Sequence, residues 1–220
     1  MNKRDAVMNL INSARPSGVV PAAFFLHFDP ASQQGQPAID KHMQFVRATG
    51  MDFVKIQYEQ TPPAPASAPF RKAQDWLQAP RCSEDFFEPT IQVVKGLVKA
   101  ARAEALVVLT VYSPFMWARQ LAAPADLIEH MQEHPEAVKK GLEILTENVL
   151  TLLRACKRAG VDGFYVSTQG GERIWFKGSD LFHWPPGHSV RVVKDAELVL
   201  FSPEKEHTHV MNHMLKVMQG

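Results

Sequence analysis

The stretch PEAVKKGLEILTENVLTLLRACKRAGVDGFYVS, residues 135–167, decides the fold. Within it Val138, Leu142, Leu145, Val149, Leu152 and Cys156 advance by alternating steps of four and three, which places them on one face of a single long helix. Pro135 suits the start of that helix, Arg154, Lys157 and Arg158 complement the negative end of its dipole, and Gly160 suits a left-handed residue past the last turn. After a link of only a few residues, Gly163-Phe164-Tyr165-Val166-Ser167 reads as a strand. A helix that returns at once to an apolar strand is the repeating unit of a parallel sheet.

Working toward the N-terminus, the same unit recurs. Leu106-Val107-Val108-Leu109-Thr110-Val111-Tyr112 reads as a buried strand, preceded by a helix that Ser83 can cap and in which Phe87, Ile91, Val94, Leu97, Val98 and Ala101 share one face. Asp52 to Tyr58 predicts another strand, behind a helix with Pro37 at its start, Ile39, Met43 and Val46 on one face and Gly50 as its stop. Between these units, prolines 62, 63, 65 and 69 force an extended loop. Val19-Val20-Pro21-Ala22-Ala23-Phe24-Phe25-Leu26 suits a first strand buried on both faces, following a short helix through Val7, Leu10, Ile11 and Ala14 that Pro16-Ser17-Gly18 breaks.

Strands that are apolar through their length and alternate with helices predict an α/β fold with parallel strands. About four strand-and-helix units precede residue 172, half of an eight-stranded barrel, and the pattern taken alone fits a small doubly wound sheet equally well. Residues 173–220 break the rhythm with Pro185-Pro186-Gly187 and five of the nine histidines, 183, 188, 207, 209 and 213. Glu197 to Phe201 suggests one more strand there, and Val210, Met211, Met214, Val217 and Met218 a short terminal helix.

Composition limits the function classes. Lys and Arg number 24 against 23 Asp and Glu, a net charge of +1, so no global field draws in nucleic acid or an anionic membrane. No apolar run reaches the length of a membrane span, and the start of the chain lacks a signal-peptide core, which predicts a cytoplasmic protein. Two cysteines, Cys82 and Cys156, are too few for a disulfide framework or an all-cysteine zinc site. Cys156 lies on the apolar helix face and reads as core; Phe24, Phe25 and Trp117 read as core aromatics rather than base-stacking groups.

In parallel α/β folds, reactive groups gather where strands end. By that rule the rim holds His27 and Asp29, then Gln57, Tyr58 and Glu59, then Tyr112, Ser113 and Arg119, then Ser167, Thr168, Gln169 and Glu172. Glu59 is the candidate carboxylate for binding or deprotonating a ligand, with His27 as a partner that titrates near neutrality; a solvated loop carboxylate and a structural histidine are the plain alternative. His207, His209 and His213 have no cysteine or carboxylate at fixed spacing beside them, so no metal is expected. Gln169-Gly170-Gly171-Glu172 matches no nucleotide-binding fingerprint.

Three segments together resemble the uroporphyrinogen decarboxylase family, whose superfamily includes cobalamin-linked methyltransferases. They are Tyr112-Ser113-Pro114-Phe115, His134-Pro135-Glu136-Ala137-Val138 opening the long helix, and Ala159-Gly160-Val161-Asp162-Gly163-Phe164. Ala48 to Ile56 looks like the family's second strand, and Arg15-Pro16 with Val20-Pro21 like its opening motif. The resemblance spans about residues 3–182 and implies a partial (β/α)8 TIM barrel, its N-terminal half in residues 1–172 and an irregular His-rich tail in 173–220.

It further implies a cofactor-free carboxy-lyase acting on a porphyrinogen in porphyrin biosynthesis. Glu59 stands at the place of the acidic residue that binds the pyrrole N–H groups and stabilises the protonated intermediate from which carbon dioxide leaves. His27 is its catalytic neighbour, and Tyr112, Gln120, Gln169 and Ser167 line the pocket. Where the decarboxylases carry arginines after the first strand, this chain has Phe25-Leu26-His27-Phe28-Asp29-Pro30; Gln120 stands at the place of a family tyrosine and Gln169 near that of a serine. Two alternatives accompany this expectation. One is a methyltransferase relative acting on a thiol or corrinoid; the other is a non-catalytic half-barrel that pairs with itself or with a partner chain to cover its open sheet.

Overall fold

The computed structural model describes residues 2–12, 20–62 and 69–167, all within Met1–Pro185, the first of the chain's two compact units. The expected domain boundary at 172/173, the tail strand and helix, and the tail histidines lie outside the described residues. Six helices and three strands run in the order α1 (Lys3–Asn12), α2 (Gly35–Thr49), β1 (Phe53–Ile56), α3 (Glu88–Ala101), β2 (Leu106–Tyr112), α4 (Pro114–Leu121), α5 (Pro124–Glu133), α6 (Pro135–Arg158) and β3 (Gly163–Ser167) among the described residues. Short 3-10 turns occupy Pro30–Ser32, Ala73–Gln78 and Glu84–Phe87. The strands form one parallel sheet in the order β1-β2-β3, with Phe53 opposite Leu106, Ile56 opposite Leu109 and Tyr112 opposite Ser167. This is the α/β class that the alternation of elements predicts.

Side-chain alternation explains how the sheet is covered. Val54 and Ile56 of β1 and Val107, Leu109 and Val111 of β2 are buried, and they join Ile91, Val94 and Leu97 of α3 and Leu145 and Leu152 of α6 in one core. The predicted stripe on α6 holds at Val138, Leu145, Val149, Leu152 and Cys156, while Leu142 is half-buried. A second buried stripe, Gly141, Asn148 and Ala155, runs beside it at seven-residue spacing. The segment from Trp76 to Cys82 packs there. An added Cβ on Gly141 would lie 2.8 Å from Cε3 of Trp76 and 3.0 Å from the Trp76 carbonyl oxygen. Asn148 accepts from the Cys82 amide at 2.9 Å and donates to the Pro80 carbonyl at 2.7 Å. Burial pushes the Cys82 thiol up to about 11 and the Cys156 thiol up to about 12. Cys156 and Trp117 are core residues, as expected.

Asp162, just before β3, ties the sheet to the N-terminus. Its carboxylate accepts from Arg4 Nη1 at 2.8 Å, Arg4 Nη2 at 2.6 Å and the Val107 amide at 2.9 Å, and its own amide donates to the Val107 carbonyl at 2.8 Å. Burial alone would raise this carboxyl; the Arg4 guanidinium and the Val107 amide outweigh it and hold it below the usual carboxylate range. Gly160 takes φ +95° after α6 and Gly50 takes φ +65° after α2, the left-handed stops that both positions predict. The helix Pro37 was expected to open begins two residues earlier, at Gly35.

The first strand is corrected. Residues 20–29 carry no strand ladder, and Val20, Phe24, Phe25 and Leu26 are 52, 46, 42 and 52% exposed rather than buried on both faces. Phe24 and Phe25 are therefore not core residues. The segment is anchored through Asp52 alone near its start: the Ala22 amide donates to Asp52 Oδ2, and the Asp52 amide donates to the Ala22 carbonyl, both at 2.8 Å. Pro21 removes one donor a ladder would need, and apolarity by itself does not supply a second neighbour. No described helix is long and apolar enough to cross a membrane.

Two variants test this packing in urea unfolding. Gly141→Ala should lose about 1–3 kcal/mol, because backbone as well as ring atoms of Trp76 meet the new methyl group. Asp162→Asn should lose about 1.5–3 kcal/mol at pH 7. Because the folded-state value lies below the unfolded one of about 3.9, that contribution is complete above the unfolded value and disappears as pH falls through the folded one. The gap between wild type and Asp162→Asn should accordingly close in strong acid.

Candidate functional site

The parallel register brings the ends of β1 and β2 and the segment beside β1 together at one rim. Glu59 follows β1 by three residues, and its Oε2 lies 2.9 Å from His27 Nδ1. The pair is asymmetric: the Glu59 side chain is 15% exposed and that of His27 57%. Oε1 of Glu59 is buried and has no hydrogen-bond partner among the described residues. One carboxylate oxygen is thus held from the solvent side, and the other remains an open acceptor at the buried side. The Phe25 ring meets His27 edge-on at 6.0 Å between centroids.

Behind Glu59, His42 fixes the backbone that follows β1. It is buried on α2, places Nδ1 2.7 Å from the Ala38 carbonyl, and accepts the Gln57 amide on Nε2 at 3.3 Å. Those partners require the neutral tautomer with the proton on Nδ1, and burial lowers the histidine's affinity for a second proton. The Phe28 ring packs edge-on against it at 4.7 Å. Gln57, so positioned, donates through Nε2 to the Tyr112 hydroxyl at 3.0 Å. Burial, with the Glu59 charge adding to it, raises the Tyr112 hydroxyl and keeps it protonated. Tyr58 lies edge-on to Tyr112 at 5.7 Å, fully buried, its hydroxyl also raised by burial. The hydroxyls of Tyr58 and Thr110 have no partner among the described residues.

Of the residues expected at the site, His27 and Glu59 are brought into contact, and Tyr112 joins them through Gln57. Ser167 is buried opposite Tyr112 at the end of β3. Ser113 caps α4, accepting the Met116 amide at 3.3 Å, and Gln120 is exposed near the end of that helix without a hydrogen bond to the cluster. Gln169 lies outside the described residues. No group of three or more His, Cys, Asp or Glu side chains among the described residues could hold a metal ion. The sequence reading missed His42, whose signal is its place four residues after Ala38, beside the apolar stripe of α2; both are buried. It also missed Lys55, whose alternation with Gln57 and Glu59 puts it on their side of the chain.

A family model described as uroporphyrinogen decarboxylase (URO-D) matches residues 43–174, more than half of the chain. No curated protein matches. Among solved structures, a methyltransferase from Methanosarcina mazei superposes with a TM-score of 0.62 at 13% identity, over 76% of this chain and 59% of its own. At that identity the likeness concerns the fold, which supports a partial TIM-barrel arrangement. The chain spans well under two thirds of that structure's length.

His42→Phe keeps a ring against Phe28 and leaves the Gln57 amide without its acceptor, so it should lose about 1–3 kcal/mol. The wild-type histidine is harder to protonate folded than unfolded. Its contribution is complete above the unfolded value of about 6.5 and is lost as pH falls through the folded value. Urea unfolding at pH 8 and pH 5 should show a larger acid loss for wild type than for His42→Phe.

Proposed function

The chain belongs to the uroporphyrinogen decarboxylase family, and from that footing we propose that it is a cofactor-free carboxy-lyase that binds a porphyrinogen at Glu59. The observation that carries this is the unpaired, buried Oε1 of Glu59, beside an Oε2 already engaged by His27. A carboxylate in that state is an acceptor prepared for N–H donors, and the pyrrole N–H groups of a porphyrinogen are donors of that kind. Protonation of a pyrrole carbon places positive charge on the ring from which carbon dioxide leaves, and a nearby carboxylate lowers the energy of that cation. His27 orients Glu59 and stands at the open side, where it can exchange a proton with solvent. Tyr112 and Ser167 contribute polar groups at the ends of the two neighbouring strands, and Gln120 and Gln169 complete the proposed lining.

A second reading, methyl transfer to a thiol or corrinoid, is favoured by the absence of arginine from residues 20–30, where a polycarboxylate clamp would be expected. The two separate on product: carbon dioxide release from a porphyrinogen supports the first, methylation of a thiol or corrinoid acceptor the second. Either activity is proposed for a chain that pairs with a second copy or a partner, and light scattering of the purified chain tests that.

Anaerobic titration of the full chain with uroporphyrinogen is the primary test. Glu59→Gln keeps the shape and removes the charge, and should weaken binding by about 10- to 100-fold, equivalent to about 1.4–2.7 kcal/mol. Equal affinity in wild type and Glu59→Gln, or no binding by wild type, would overturn the proposal.

A further inference from the structure

Lys55 is the middle cation of the sheet. Its Nζ lies 3.8 Å from the centroid of the Tyr165 ring and 4.3 Å from that of Phe25. In register Lys55 stands opposite Val108, which stands opposite Gly163. The glycine leaves room, and the ammonium reaches across to Tyr165 two residues further along β3. On the other side, the segment beside β1 lays Phe25 over it. Both rings present a face to the charge, which attracts a cation and fixes its position, yet neither supplies an oxygen.

No carboxylate lies within ion-pair distance of Lys55 among the described residues, and none of its three N–H donors has a hydrogen-bond acceptor there. Burial pulls the amine down to about 8. A half-buried ammonium is as a rule paired with an anion, and this one is held in place for a counter-ion that the surrounding side chains do not provide. Lys55, Gln57 and Glu59 follow one another at two-residue intervals, and four residues of chain separate the Lys55 and Glu59 Cα atoms by no more than about 14 Å. That span suits a single ligand carrying N–H donors at one end and a carboxylate at the other.

We propose that Lys55 binds an anionic group of the ligand, its ammonium held between Phe25 and Tyr165 to take a carboxylate of the molecule whose N–H groups meet Glu59. The identity of that molecule rests on the porphyrinogen reading above; the anion site itself does not. Lys55 then supplies positive charge that residues 25–30, which lack arginine, do not.

The test uses the full chain with its lysines reductively methylated with carbon-13, the Lys55 signal being assigned by its loss in Lys55→Met. Succinate should shift that signal saturably and raise its titration midpoint above about 8, while sodium chloride of equal ionic strength should not. In anaerobic titrations Lys55→Met should weaken uroporphyrinogen binding about tenfold or more, and Lys55→Arg by no more than about threefold. Circular dichroism and urea unfolding establish that both variants fold. Loss of binding by Lys55→Met with retention by Lys55→Arg supports the site.

A signal indifferent to succinate, or a midpoint already at the ordinary lysine value without added anion, overturns it. The latter would mean that a carboxylate of the chain itself fills the place. If wild type binds no porphyrinogen while succinate still moves Lys55, the porphyrinogen reading fails and the anion site stands. If porphyrinogen binds and Lys55→Met matches wild type, the anion site fails and the porphyrinogen reading stands.

Discussion

The carboxylate of Asp162 carries a disproportionate share of the fold. One side chain receives both terminal nitrogens of Arg4 and the amide of Val107, while the same residue's amide returns a bond to the Val107 carbonyl. These bonds join α1, the second strand and the approach to the third at a single point. With the start of β3 fixed against β2 there, the ladder runs on to set Ser167 beside Tyr112. Register in a parallel sheet has no hairpin turn to define it, so a polar lock at the entry of a strand determines what stands at its exit. The chemistry of the rim therefore depends on an interaction at the opposite end of the strands.

At that rim the consequence is an unequal carboxylate. Glu59 is held by His27 on one oxygen and left open on the other. Its surroundings are built from rigid pieces: His42 holds the Gln57 amide, Gln57 holds the Tyr112 hydroxyl, and Tyr58 packs against Tyr112. Side chains oriented by their neighbours lose little freedom when a ligand arrives, which favours binding through preorganisation rather than through contact area. The family match covers the part of the chain that contains Glu59, His42, Gln57, Tyr112 and Ser167 but not His27. The carboxylate is thus a family position, while its histidine partner is supplied by the divergent segment before it.

Legibility in the sequence followed the physics of each element. The long helix was readable because its apolar spacing, opening proline and closing glycine all agree, and all three are local. What its periodicity could not show was the second stripe, since Gly141 and Asn148 are buried for close approach and hydrogen bonding, not for hydrophobicity. The first strand failed for the converse reason: Val20 to Leu26 is apolar, but a strand exists through its neighbours and this segment has only the Asp52 anchor. His27 and Glu59 were legible from the rule that function gathers at strand ends. Lys55 was not, because a lysine within an apolar strand shows its importance only when Phe25 and Tyr165 are seen on either side of it.

The two thiols have a use unconnected with the rim. Cys156 is fully buried within the core and Cys82 half-buried in the segment pinned by Asn148, and both are far too basic to form thiolate at neutral pH. Alkylating reagents can therefore reach them only in proportion to how often the surrounding structure opens. The pair forms a native clock with two hands, one timing release of a single surface segment and the other timing disassembly of the entire interior.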